Sequence, residues 1–566
     1  MRTRPKLGKW SAKLGPFVIL LVTSAYPLAA ATLTVCPSGC DSTTIQGAVT
    51  MADAGDVVQI LSSQAHTESD IYVTKDITVA GFGVLDTIVQ ADATPGTATL
   101  PVFVVVVGAR LTLESLTVRH GGGATGGALD IEDGHAVLTD VQLEWNQATG
   151  VGGAVYVSAG SSLEVVDSWI MDNTAGRGGG VYNNGSVVIT GSMVKDNTAS
   201  DLFGTATGGG LHNAGDLTLR TSNVGQNDVV GGPFEDSKGG GIFHEGMSLL
   251  IEDSWVKTNT VDGDASSLGG GLFLNGLGSV TLDRVFLFYN EAGKGGGVYH
   301  DNGDLLMEDC TVKMNTATIS GGGLYLDHFG SASATIAHST VVDNEALVAG
   351  GVEVFGDGAT RIFNSTFSGN AATDDAGGLR LPWSNNVSIA STTITDNIAD
   401  SDGDGSGNGG GIVIAQGSDV EMRNTILAGN LDGSTLPAPR LPDCVGTIQS
   451  VGYNLIQSLG VIFTSCTIEG DTTGNLLEID PLLLAITDNG GPTETHALDL
   501  GSPAIDAGDP AGCVDPLGGP LPTDQRHGVR QDRCDMGAYE VSGTFGLIFA
   551  DDFESGGLTA WSGGTG

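Results

Sequence analysis

The feature that most constrains this chain is a recurring pair of signals: a small residue followed by an aliphatic one, and some way on an asparagine. The small residue stands at Ala128, Ala154, Gly180, Gly210, Gly241, Gly271, Gly297, Gly323, Gly351, Gly378 and Gly411, eleven copies spaced 26 to 33 residues apart. The asparagine stands at Asn146, Asn173, Asn197, Asn227, Asn259, Asn290, Asn315, Asn344, Asn370, Asn397 and Asn430. From small residue to asparagine the count stays between 17 and 21, whereas the return runs from 7 to 14. Self-similarity at such a period marks a solenoid whose units bury their apolar faces against one another. The steadier interval therefore holds the structural part of each rung, and insertions enter at the corner after the asparagine.

Inside a rung the pattern is β. The run VYNNGSVVITGSMVKDN, Val181 to Asn197, alternates apolar and polar residues and breaks at Asn-Gly and Thr-Gly. Three short strands with no room for a helix describe a parallel β-helix. One interior column is expected right after the small residue, from Leu129, Val155 and Val181 to Ile412. Another is expected three residues before each asparagine, from Leu143, Ile170 and Val194 to Leu427. Glycine supplies positive φ and close approach, and asparagine tolerates left-handed backbone and can bond its neighbour in the next rung. A small polar column five residues before the asparagine (Ser168, Ser192, Ser222, Ser254, Ser339, Ser365) places Cys310 in a buried, unreactive position.

The expected architecture is all-β, a right-handed parallel β-helix of about 13 to 15 rungs, with a short N-terminal capping helix and a small C-terminal β-rich module. Residues 1–31, with Arg2, Arg4, Lys6, Lys9 and Lys13 before the apolar run FVILLV, read as a signal peptide. Residues 32–125 hold the cap and first coils, 126–430 the repeats, 431–541 the C-terminal module and 542–566 a flexible tail. Thr43 and Gln46 fit a capping box opening a helix to about Ala52, with Ile45, Ala48 and Val49 on one face. Export makes disulfides expected, and the pairs close in sequence are Cys36–Cys40, Cys444–Cys466 and Cys513–Cys534. A net charge of −43 argues against nucleic acid and anionic lipid as partners, and no later stretch is apolar enough to span a membrane.

The rungs resemble the GGA(I/L/V)…FxxN repeats of chlamydial polymorphic membrane proteins, Phe367-Ser368-Gly369-Asn370 matching FxxN literally. That resemblance implies architecture only. The run TTIQGAV…GDVVQI is similar to the N-terminal cap of pectinesterase-like and pectate-lyase-like β-helices. From residue 431 the chain resembles the bacterial choice-of-anchor Q domain, through Asp488-Asn489-Gly490-Gly491-Pro492-Thr493, Ser502-Pro503-Ala504-Ile505-Asp506-Ala507-Gly508, Asp524-Gln525-Arg526 and Asp535-Met536-Gly537-Ala538-Tyr539-Glu540. It implies secretion or surface association in a bacterium, not a reaction.

Three places suggest chemistry. The residues after the first interior column are Tyr156, Tyr182, His212, Phe243, Phe273, Tyr299 and Tyr325 on seven consecutive rungs. At a strand spacing of about 4.8 Å they form a stripe roughly 29 Å long, suited to sugar rings and flanked by insertions at 198–207, 228–238 and 260–268. The competing meaning is a stacking ladder that merely stabilises the sheet or is covered by those same insertions. Asp400, Asp402, Asp404 and Asn408 follow the start of a Ca²⁺ loop, although Gly411 stands where its bidentate glutamate belongs. Glu353 and Arg380, with Asp357 nearby, are the best catalytic constellation and read more readily as an ion pair. His244 and His300 share a register but are separated by Leu274, too far apart for one metal. The motif strings of pectinesterases and polygalacturonases are absent. The expectation is an exported, non-enzymatic scaffold or adhesin with polysaccharide or a cell-surface glycan as partner, and no cofactor unless Ca²⁺. The alternative is a polysaccharide lyase or glycoside hydrolase.

Overall fold

The computed structural model describes residues 30–201, 204–231, 236–262, 266–433, 443–460, 466–531 and 533–541. The signal-peptide run, the tail and the middles of the three insertions lie outside these residues. The chain winds into a right-handed parallel β-solenoid of about 15 turns. Each central rung carries four strands, not three. In one rung these are Val155–Val157, Ser162–Val166, Trp169–Met171 and Thr174–Ala175. The fourth strand follows the asparagine, and ten copies of it form a sheet of their own. Pairing is in register from rung to rung, as in Val155↔Val181 and Ile170↔Val194. Both predicted aliphatic columns point inward, and no member from Leu129 to Ile412 or from Leu143 to Leu427 is more than 1% exposed.

The corners explain the repeated letters. Each asparagine is buried and joined to the next: Asn146 Nδ2 donates to Asn173 Oδ1 and Asn173 Nδ2 to Asn197 Oδ1, both at 3.0 Å. Asn173 Oδ1 also accepts the Asn146 N–H, and its Nδ2 reaches the Leu143 carbonyl. The left-handed residue is the one before the asparagine, such as Asp172 at φ 56° and Tyr289 at φ 55°. The asparagine's own contribution is its amide. The serine column is a second ladder, with Val141 N donating to Ser168 Oγ and Ser168 N to Ser192 Oγ at 3.0 Å. Cys310 takes that place in its rung, its N–H donating to Ser339 Oγ, and burial pushes its thiol up to about 12. In the glycine triplets the members differ in duty. Gly178 sits at φ 60°, and a Cβ on Gly179 would lie 2.3 Å from the Gly209 carbonyl oxygen.

Parallel pairing continues beyond Asn430, through Ile412↔Cys444 and Gly446↔Cys466. Asp443 ends the asparagine ladder: its Oδ1 accepts from Asn430 N and Nδ2, and its Oδ2 from Ser458 N. With donors on both sides an amide would leave one N–H facing another. Burial pushes the Asp443 carboxyl up to about 7.

At the other end the helix Ile45–Met51 buries Ile45, Ala48 and Val49 against the first coils. Its cap is Thr44, not Thr43, with Thr44 Oγ1 accepting from Gly47 N. Gln46 turns away to accept from Tyr72 N, and the Glu68 carboxylate takes the N–H groups of Ile45 and Gln46 instead. All three disulfides form as paired in the sequence.

Residues 478–531 and 533–541 fold back along the outside of the solenoid as a strap of irregular backbone, with four antiparallel bridges among the described residues. It lies on the third strands. Thr340 Oγ1 donates to the Glu494 carbonyl, Thr366 Oγ1 to Gln525 Oε1, and Ala538 N to Thr393 Oγ1. Ala504 and Met536 pack on Ile426 and Leu455. The strap's strings are held by a buried polar network: Arg526 Nη2 meets Asp524 Oδ2 at 2.6 Å, and Arg530 Nη2 donates to Asn364 Oδ1 of the solenoid. Glu540 accepts from Asp535 N and Gln531 N. Paired and hydrogen-bonded charge of this kind is how burial of ions is tolerated.

Candidate functional site: an aromatic groove on the third strands

The stripe from Tyr156 to Tyr325 is a continuous stack. Neighbouring ring centroids lie 4.3 Å (Tyr182–His212) to 5.9 Å (Tyr156–Tyr182) apart, with Phe243 and Phe273 within 4° of parallel. Of the two readings it is the covered ladder: the surface is sealed, not open. His212, Phe243, Phe273, Tyr299 and Tyr325 are buried, and Tyr156 and Tyr182 half-buried. The described ends of two insertions, at Lys238 and Leu268, and the end of the strand Glu291–Lys294 lie over the rings rather than beside them. Lys238 Nζ stands 5.1 Å from the Phe273 centroid, Lys294 Nζ 4.9 Å from that of Tyr325, and Leu268 packs between. Thr207 bonds His212 at 2.7 Å, and the Tyr299 hydroxyl donates to Asp327. Five of the seven rings thus present no free face to a sugar.

The other sequence candidates separate. Glu353 continues the ring column and is buried. It pairs with Arg380 at 3.2 Å and accepts from Ser320, while Asp357 is turned to the Gly330 N–H. His244 and His300 point into the coil with Leu274 between them, and burial pulls them down to about 4 and about 3. Carboxylate oxygens of Asp400, Asp402 and Asp404 gather within 4.8 Å of one another, but Asp400 is committed to Gly405 N and Asn408 turns to Asp375.

A second cluster with metal-ligand atoms within 4.8 Å joins strap to solenoid: Asp309, His338 and His527. His527 Nε2 lies 2.7 Å from Asp309 Oδ1, and its ring stacks on His338 at 4.5 Å and 25°. Stacked imidazoles aim their in-plane lone pairs past a common point. Asn364, oriented by Arg530 and the Thr523 carbonyl, donates to His338 Nε2 and so leaves the proton on Nδ1. This is a hydrogen-bonded latch. Asp309 raises the pKa of His527, and burial lowers that of His338 to about 4.

The open chemistry lies on the outward column of the third strands, four residues before each ladder asparagine. Its members Trp169, Met193, Asn223, Trp255, Phe286 and Thr311 stack in register. Trp169 is 48%, Trp255 44% and Phe286 38% exposed, which is much for rings of this size. Two hollows follow this column, and Trp255 lines both. The first, about 320 Å³, lies between Trp169 and Trp255 over Met193 and Asn223, with Asp253 on its rim. The second, about 460 Å³, is floored by Phe286, Phe288 and Tyr289 and walled by the strap from Asp488 to Glu494. Phe286 and Phe288 tilt against Trp255 at 5.7 and 5.6 Å, and Lys257 Nζ stands 4.7 Å from its ring. Strap and groove therefore share one face: where the strap lies, the column is Thr340, Thr366 and Thr393, and beyond it the column carries Phe286, Trp255 and Trp169.

Residues 233–394 match the family model for the right handed beta helix region. The match covers the central rungs, including Trp255 and Phe286, and agrees with the fold. Comparison with curated proteins finds no match. Among the described residues no helix is long and apolar enough to cross a membrane.

Proposed function

We propose that this chain is an exported, surface-displayed β-helix that holds polysaccharide without cleaving it, along the groove between Trp169 and Tyr289. One observation carries the reading: two half-exposed tryptophans stand in line on a rigid sheet with a hollow on either side of Trp255. Flat apolar rings with polar rims match the apolar faces and hydroxyl edges of pyranoses. Export is supported by the basic, then apolar, N-terminal run and by three disulfides.

The test is affinity electrophoresis of the full chain in gels holding single polysaccharides, beside Trp169→Ala and Trp255→Ala. Retardation of the parent and at least tenfold weaker retention of each variant, with unchanged thermal midpoints, is the expected result. Equal retention by the variants moves the site elsewhere. New reducing ends, or absorbance from unsaturated products, replaces the holding role with that of a polysaccharide lyase or hydrolase, chemistry that the same fold can carry.

A further inference from the structure

Resting on the groove as a polysaccharide site, we infer that its ligand is a non-acidic polymer lying parallel to the solenoid axis, about one pyranose to a rung. The axial direction follows from the register. Trp169 pairs with Met193, Met193 with Asn223 and Asn223 with Trp255, so the two indoles stand three strand spacings, about 14 Å, apart. One strand spacing is close to the advance of one sugar in an extended β-1,4-linked chain. A pyranose on each indole is then joined by two more across the first hollow, over Met193 and Asn223. Beyond Trp255 the second hollow continues the line until the strap wall at Asp488–Glu494 closes it. A ligand crossing the strands would meet only one indole.

The exclusion of acidic polymers follows from the charges. Among the described residues Asp253, Asp488 and Glu494 line the two hollows, against Lys313 as the one lining cation. Lys313 is already held by Glu494 at 3.0 Å, with Asp343 at 4.0 Å. Beside the first hollow, Arg284 is shared by the rim residue Asp253 and by Asp283 at 2.6 and 2.7 Å, and Arg220 is paired with Glu252 at 2.6 Å. Lys257 rests on the Trp255 and Phe288 rings. A uronate or sulfate chain would have to displace these partners while approaching a chain of net charge −43. Hydroxyl and amino sugars face no such barrier, and the rim carboxylates accept their O–H and N–H donors.

Calorimetry on the full chain with cello- and chito-oligosaccharides of two to eight units, and with oligogalacturonates of equal length, tests both parts at low salt. The expected result is binding of the neutral and amino series, tightening with length until the chain spans Trp169 to Tyr289 and then levelling, with oligogalacturonates at least tenfold weaker. Glu494→Gln, which releases Lys313, should strengthen oligogalacturonate binding severalfold. Acidic oligomers binding as tightly as neutral ones, through Trp255, overturn this inference and leave the site standing. Affinity already complete at the disaccharide overturns the axial arrangement. If no glycan of any series binds, the groove reading itself falls, and this inference with it.

Discussion

The smallest unit that decides this fold is one asparagine amide. Asn259 accepts from the N–H and Nδ2 of Asn227 and donates to Asn290 Oδ1 and the Val224 carbonyl, all in the dry interior. Removing a partner from buried polar groups costs more than the bond is worth on average. Asn259→Ala strands two donors and one carbonyl, so a loss on the order of 3 kcal/mol is expected, read as a lower urea midpoint. A surface change on the same rung, such as Lys257→Gln, should leave that midpoint nearly unmoved. A ladder variant as stable as the parent would mean that water enters the corner and replaces the amide. At this scale the sequence is legible where the period is strict. The ladder positions and Cys310 follow from counting, because each must fit the same place in every rung. Which outward column stays open does not. Tyr299 and Phe286 are both outward aromatic residues, and side chains that the repeat does not specify, Lys238, Leu268 and Lys294, seal the first column while the strap only walls one end of the second.

At the scale of elements the strap is the part least visible beforehand. Its strings stand out in the sequence, yet their meaning lies in partners far along the chain, such as Asn424 with Asp535 at 111 residues, Gln525 with Thr340 at 185 and His527 with Asp309 at 218. The latch makes its docking depend on pH. Asp309 raises the folded pKa of His527, with Glu308 and Asp524 acting the same way against burial, while its neighbour His338 is kept neutral by burial, with His527 and Arg530 beside it. A raised histidine binds more protons folded than unfolded. Its stabilisation is therefore complete below the ordinary histidine value of about 6.5 and is lost as pH climbs through the raised one. His338, lowered, acts oppositely and favours the folded state as pH rises from about 4 toward about 6.5. The thermal midpoint of the parent minus that of His527→Gln should thus be largest near pH 6 and shrink toward pH 9. A difference that is flat across this range, or grows with pH, would show that the Asp309 bond is not charge-assisted.

Over the whole molecule, a solenoid is stabilised rung by rung, each turn touching only its neighbours. The strap breaks that rule. It ties rungs from Asp309 and Lys313 to Ile426 into one body, through Glu494, Gln525, Arg530 and Met536. On the third strands from Trp169 to Phe286 the strap is present only as the wall at Asp488–Glu494, so the open groove coincides with the part of these strands that the strap does not cover. Local opening should follow the same division. In native-state hydrogen exchange the third strands Thr340–Val342 and Thr366–Ser368 are expected to be more protected than Met193–Lys195 and Asn223–Gly225, although all are equally paired within the sheet. The contrast is due to the strap if it narrows in a variant lacking the Cys513–Cys534 disulfide, which joins two parts of the strap beside Phe363. Equal protection in both regions of the parent would mean that the strap rests on the solenoid without bracing it, and that the groove rungs are as firm as the covered ones.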